Sequence, residues 1–165
     1  MPKKPNVKVK ICGITNWTDA RRAVEAGANF LGFNFYAQSS RYITPAKARG
    51  IVRRLPEGIS SVGVFVNESE DKILDIARMV GLDRLQLHGD ESPATVQRLG
   101  RIFPVIKALR VRKSFRASQL ARFKHAEAFL LDGFDAKLRG GTGKKDPKRM
   151  KAFMRAVGEA RKGAR

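Results

Sequence analysis

Short apolar runs rich in β-branched and aromatic residues alternate along this chain with longer segments in which apolar residues return at helical spacing. The runs Val7–Cys12, Phe30–Phe35, Ser61–Val66, Leu85–His88, Val105–Leu109 and Phe129–Asp132 are predicted strands. Apolar residues fall on both of their faces, as a sheet buried on both sides requires. Each pair is separated by a helix-sized segment, and strands joined that way run parallel because a tight hairpin cannot return the chain in the same direction. The pattern is a βαβ series.

Start and stop signals frame the helices. Thr18 opens a segment to Ala26 that Gly27 stops, and Thr44-Pro45 opens one to Arg54. Ser69 begins a third, whose Ile73, Leu74, Ile76, Ala77 and Val80 form a sheet-facing stripe before Gly81. Ser92-Pro93 opens a fourth, and Ser114 or Ser118 a weaker fifth. From Asp146 to Lys162, the residues Met150, Phe153, Met154 and Val157 predict a last amphipathic helix with a basic outer face.

Such a series closes into a (β/α)8 barrel or stays open as a doubly wound sheet, and both gather chemistry at the strand C-termini. The first crossover, Cys12-Gly13-Ile14-Thr15, has no Gly-x-Gly-x-x-Gly, and no acid ends the second strand. An α/β fold of the (β/α)8 type is therefore expected, with six βα units and the last helix evident in one domain spanning 1–165. Full barrels need roughly 200 residues or more, and this chain has 165.

Composition narrows the classes. Hydrophobic residues at 42% exclude a disordered tail, and the single Cys excludes an internal disulfide framework. No run approaches a membrane span, and the first residues lack the apolar stretch of a signal peptide, so a cytoplasmic protein without membrane attachment is expected. Lys and Arg number 34 against 15 Asp and Glu, a net charge of +19. The excess favours anionic partners, from phosphorylated metabolites to nucleic acid. A basic nucleic-acid-binding module is the rival class. It is disfavoured because the charge is spread over helix exteriors and both termini, with no aromatic-basic motif for stacking bases.

Cys12, Asn34, Asn67, Gln86, His88, Lys107, Arg110 and Asp132 all fall at or within two or three residues of a predicted strand end. Each has an ordinary explanation alone: Cys12 as a small buried hydrophobe, His88 and Asp132 as turn residues before glycines, Arg41 as a solvated loop charge. A thiol, a carboxylate, an imidazole and an amide on one rim are harder to assign to chance.

The order Lys10-Ile11-Cys12-Gly13-Ile14-Thr15, Gly32-Phe33, Ser40-Arg41-Tyr42-Ile43, Gly63-Val64-Phe65-Val66-Asn67, Leu85-Gln86-Leu87-His88-Gly89-Asp90-Glu91, Leu130-Leu131-Asp132 and Gly140-Gly141-Thr142-Gly143-Lys144 resembles the phosphoribosylanthranilate isomerases, over residues 8–144. The resemblance implies a barrel that carries out an Amadori rearrangement of N-(5-phosphoribosyl)anthranilate in tryptophan synthesis, needing no cofactor and no metal. It implies Asp132 as the acid that opens the furanose and Cys12 as the base that takes the neighbouring sugar proton. By the same resemblance Arg41 meets the anthranilate carboxylate, Lys10, Gln86 and His88 line the pocket, and the backbone of Gly140 and Gly141 approaches the substrate. Lys10 and Lys107 are expected to bring positive charge toward the thiol. The implied protein is a monomer or homodimer. Related barrels of histidine synthesis typically pair two aspartates, which Cys12 disfavours here.

The sequence departs from the family after Lys144. Lys145-Asp146-Pro147-Lys148 resembles the lead into the family's final helix, as though the seventh and eighth strands, which commonly hold the phosphate, had been cut out. Either a segment is missing from the sequence at the Lys144–Lys145 junction, or the cut is real. The first is favoured, because removing two adjacent staves exposes packed interior. The second leaves strands 1 and 6 as edges of an inactive or partner-completed barrel. Gly140-Gly141-Thr142-Gly143-Lys144 is not a P-loop, since Leu138 stands five before Gly143 and Lys145 follows Lys144.

Overall fold

The computed structural model describes residues 7–111 and 116–133, with the isolated positions Lys148, Lys151 and Arg155. These three are exposed and helical, inside the segment predicted as the last helix. The rest of that helix, Ser114, the Gly140-Gly141 loop and the Lys144–Lys145 junction lie outside the described residues.

The elements are β1 (Lys10–Cys12), α1 (Trp17–Glu25), β2 (Phe30–Asn34), α2 (Pro45–Val52), β3 (Ser60–Phe65), α3 (Glu70–Val80), β4 (Arg84–Leu87), α4 (Pro93–Gly100), β5 (Val105–Val111), a 3₁₀ turn (Ala117–Arg122) and β6 (Ala128–Gly133). All six strands are parallel and lie in chain order, β1-β2-β3-β4-β5-β6. A doubly wound sheet would reverse its order at a switch point. Unbroken order is that of consecutive staves in a (β/α)8 barrel, curled into a half-barrel. Among the described residues β1 and β6 each have one sheet neighbour.

Local chemistry moves several predicted boundaries. The cap of α1 is Asn16, not Thr18: its Oδ1 accepts from the Asp19 backbone N–H at 2.8 Å and its Nδ2 donates to the Asp19 carboxylate at 2.9 Å. β1 begins at Lys10 rather than Val7, because the Val9 N–H is taken by the Asn29 side chain at 2.9 Å. The weak fifth helix is only the 3₁₀ turn after Arg116. Thr44 and Ser92 cap α2 and α4 ahead of a proline as expected, and Gly81 ends α3 at φ +79°.

Strand register assigns side chains to faces. The pairs Cys12↔Gly32, Val64↔Gln86, Gln86↔Ile106, Ala108↔Leu130 and Arg110↔Asp132 put these residues on the concave face, together with Lys10. The opposite face carries Leu31, Phe33, Phe65, Leu85, Leu87 and Val105, buried beneath Ala23, Ile51, Ile73, Ala77, Val96 and Leu99 of the helices. At about 25 cal/mol per Å² of apolar surface removed from water, this sheet-to-helix layer is the main stabilising core. β6 differs, with Phe129 36% and Leu131 55% exposed on the outer face.

Candidate active site

Each polar rim residue is placed by a specific local structure. At the end of β1 the backbone of Gly13 turns with φ +76°, a conformation that L side chains rarely adopt. A Cβ on Gly13 would stand 2.6 Å from Cδ of Arg41, so the bare backbone is the floor on which the Arg41 stem lies. A Cβ on Gly32 would likewise stand 2.9 Å from Cys12 Sγ, so the thiol rests over Gly32 on the neighbouring strand. Two missing side chains thus set the positions of a thiol and a guanidinium that are 29 residues apart in the chain.

Arg41 is delivered by the loop after β2, which Asn34 organises. Asn34 donates from Nδ2 to Ser39 Oγ at 3.0 Å and accepts the Tyr36 N–H at 2.9 Å, while Ser39 Oγ accepts the Arg41 N–H at 3.1 Å. The Ile43 N–H closes the loop on the Asn34 carbonyl at 3.0 Å. Arg41 itself is exposed. Such a guanidinium presents a fork of donors suited to a carboxylate.

A continuous line of hydrogen bonds crosses the concave face from β1 to β6. Lys10 Nζ donates to Gln86 Oε1. Gln86, buried at 1% exposure, meets His88 Nδ1 with Nε2 at 2.9 Å. His88 Nε2 meets Asp132 Oδ2 at 3.0 Å. The Asp132 side chain remains 48% exposed and His88 27%, so this end of the line is open to a ligand. Beside it lies a recess of about 300 Å³ lined by His88, Gly89, Asp90, Ala108, Leu109 and Arg110.

The segment carrying His88 is pinned from the other face by Glu91, which the sequence reading quoted in a motif but did not assign a role. The Glu91 carboxylate accepts the Asn67 and Gly89 N–H groups at 3.0 Å and the Lys107 ammonium at 2.8 Å. Lys107 spends its remaining donors on the carbonyls of Gly89 at 2.7 Å and Leu87 at 3.3 Å. Both side chains are almost wholly buried. The expectation that Lys107 brings free charge toward Cys12 is corrected here: register with Leu87 places it on the outer face, and its charge is met by Glu91. The signal for Glu91 in the sequence is one of two adjacent acids, Asp90 and Glu91, in a strand-end loop ahead of a lysine within an apolar strand, which only a fold could pair.

Among the described residues, no three His, Cys, Asp or Glu side chains are grouped as a metal site, and no helix is long and apolar enough to cross a membrane. Of the predicted site residues, the structure joins Lys10, Gln86, His88 and Asp132 in one line and Cys12 with Arg41 through Gly13 and Gly32. Gly140 and Gly141 lie outside the described residues.

Residues 9–154 match the sequence profile described as N-(5'phosphoribosyl)anthranilate (PRA) isomerase. The chain is 47% identical over 137 residues to an N-(5'-phosphoribosyl)anthranilate isomerase of Rubrobacter xylanophilus, covering 82% of this chain and 66% of that relative. It is 46% identical over 139 residues to that of Syntrophus aciditrophicus, covering 82% and 58%. The chain thus spans 66% and 58% of the length of these two curated relatives. Among solved structures, it is similar to a phosphoribosyl anthranilate isomerase in complex with reduced 1-(o-carboxyphenylamino)-1-deoxyribulose 5-phosphate, with TM-score 0.85 and 33% identity over 93% of this chain and 99% of that one. The isomerase from Thermotoga maritima matches with TM-score 0.75 and 41% identity, over 85% and 66%.

Proposed function

The chain belongs to the N-(5'phosphoribosyl)anthranilate (PRA) isomerase family, and from that premise we propose that it isomerises N-(5-phosphoribosyl)anthranilate to 1-(2-carboxyphenylamino)-1-deoxyribulose 5-phosphate, in tryptophan synthesis. Asp132 acts as the acid. Its proton passes to the furanose ring oxygen, the C1–O bond breaks with its electron pair going to that oxygen, and the anthranilate nitrogen lone pair forms C1=N. Cys12 acts as the base and takes the proton from C2, whose C–H electrons form C1=C2 and return the nitrogen lone pair. The resulting enol relaxes to the ketone as a proton leaves O2 and one is added at C1. Arg41 holds the anthranilate carboxylate, and Lys10, Gln86 and His88 order the acid side of the pocket. No cofactor takes part.

The observation that carries this reading is the hydrogen-bonded line from Lys10 through Gln86 and His88 to Asp132, which spans the concave face to the strand opposite the thiol. An acid-base reaction on one small substrate needs two groups on two sides of it, and this reading uses Cys12 of β1 and Asp132 of β6 for them. Substrate and product have the same mass, so the test follows the anomeric proton of the phosphoribosyl amine and the ketone carbon of the product by NMR. Appearance of the ketone with the unsubstituted chain and not with Asp132→Asn supports the assignment. Equal turnover by both removes Asp132 from the mechanism.

A second reading, a single domain that lacks the seventh and eighth βα units and is completed by a partner, is favoured by the single sheet neighbour that β1 and β6 each have among the described residues. Under it, specific activity rises with protein concentration as copies associate. Activity per chain that is independent of concentration, with a monomer mass in solution, excludes it.

A further inference from the structure

The line of hydrogen bonds that ends on Asp132 also determines where the protons of His88 reside. The lysine ammonium is a donor without an acceptor, so the atom of Gln86 facing Lys10 is its carbonyl oxygen. The amide nitrogen of Gln86 then faces His88 Nδ1, and an NH₂ group has only hydrogens to offer. Nδ1 must therefore accept, and a proton there would put two donors head to head at 2.9 Å. Gln86 has almost no exposed surface and each end of its amide is engaged, so it is not free to turn over.

We infer that Lys10 and Gln86 are positioning residues that lock His88 as the neutral tautomer protonated at Nε2, so that His88 donates to Asp132 Oδ2. This inference rests on the proposed acid role of Asp132 only for its consequence. With Oδ2 accepting from His88, the transferable proton of a protonated Asp132 sits on Oδ1. The same donor then stabilises the carboxylate formed when that proton leaves, an interaction stronger in the product of the step than in its reactant.

The test uses the whole chain labelled with ¹⁵N and read by long-range ¹H–¹⁵N NMR without substrate. The chain has two histidines, and His125 is exposed, which makes it the internal reference. The expected result is an unprotonated Nδ1 and a protonated Nε2 at His88 near neutral pH. A His88 that carries its proton at Nδ1, or both protons, overturns the inference. In Gln86→Glu the donor facing Nδ1 becomes an acceptor, and the Nδ1 resonance shifts to that of a protonated nitrogen, whereas the His125 signals stay in place. An unshifted His88 in that variant overturns it as well. Should Gln86→Glu not fold, Asp132→Ala decides: it removes the acceptor at Nε2, so the tautomer is retained if Gln86 sets it, and its loss there assigns control to Asp132 instead. The readout needs no turnover. An inactive chain with the expected tautomer sinks only the isomerase reading, and an active chain with the other tautomer sinks only this one.

Discussion

His88 Nε2 lies 3.0 Å from Asp132 Oδ2, although the two residues are 44 positions apart and β5 runs between their strands. The contact crosses a whole stave, which is possible because the sheet curls and its concave face brings alternate strands together. It brings β6, which has one sheet neighbour among the described residues, next to His88. Replacing the acid without disturbing this contact is the cleanest probe of its role. In Asp132→Asn the side-chain oxygen still accepts from His88, so the variant is expected to fold and melt like the parent. Its kcat should fall by about 10²–10⁴-fold, the usual contribution of a positioned acid. A loss of stability in step with activity would assign Asp132 to the fold instead.

For the opposite side of the reaction, Cys12→Ser puts a hydroxyl in place of the thiol over Gly32 and Cys12→Ala removes the group altogether. A base at this position predicts that both lose turnover by about 10²–10⁴-fold while KM changes little. A serine hydroxyl is a far weaker acid than a thiol and does not supply an anion near neutrality. Retention of more than a tenth of the activity by Cys12→Ala would exclude the thiol as the base.

Arg41 and Gly13 act as one unit. Arg41→Lys keeps the charge but loses the planar fork, and it is expected to raise KM by roughly 10-fold or more, from about 1.5–3 kcal/mol per charged hydrogen bond. Gly13→Ala should produce the same KM defect without touching the guanidinium. Its Cβ would stand 2.6 Å from the Arg41 stem. It also places an L residue at φ +76°, at a cost of about 1–2 kcal/mol in stability. A Gly13→Ala variant with unchanged KM would show that the Arg41 stem shifts freely.

The strands were legible in the sequence because each is a compact apolar run between helix-period segments, and their parallel order followed from the length of the crossovers. The rim was legible as far as strand ends announce themselves. What could not be read was pairing across the sheet. The sequence places Lys107 near the end of a strand but not on either of its faces. Register alone turns it toward Glu91. Asn16 and Thr18 are both of residue types that cap helices, and only the Asp19 N–H distinguishes them. A serine start signal carries no information on length, so it does not separate the 3₁₀ turn at Ala117–Arg122 from a longer helix.

Acid sensitivity of the outer layer is expected at Glu70. The Arg98 guanidinium binds its carboxylate at 2.5 and 2.8 Å and holds it below the usual carboxylate range, with Thr95 and the attraction of the charge adding to the effect. A carboxyl lowered in the folded state stabilises the fold above its unfolded value, and that contribution is lost as pH falls through the folded value. Glu70→Gln should therefore flatten the stability-against-pH curve below about pH 4.3, with little change at pH 7 in high salt because Arg98 is mostly exposed. Parallel curves for the two proteins in denaturant titrations across this range would dismiss the link.

The buried pair of Glu91 and Lys107 gives the sharpest prediction for stability. Each charge is nearly inaccessible and depends on the other, with Asn67 and Gly89 completing the carboxylate and the carbonyls of Leu87 and Gly89 completing the ammonium. Removing one partner strands the other in low dielectric. Glu91→Gln and Lys107→Met are each expected to destabilise by about 3–5 kcal/mol, and the double variant by much less than their sum. Because Glu91 also fixes the backbone at Gly89, next to His88, the single variants should lower kcat in addition, whereas destabilised helix variants such as Ile73→Ala should lose about 2–5 kcal/mol with kcat intact once folded. Denaturant titration of the four members of the cycle measures the coupling. A double variant whose loss equals the sum of the singles would show that the two charges act independently.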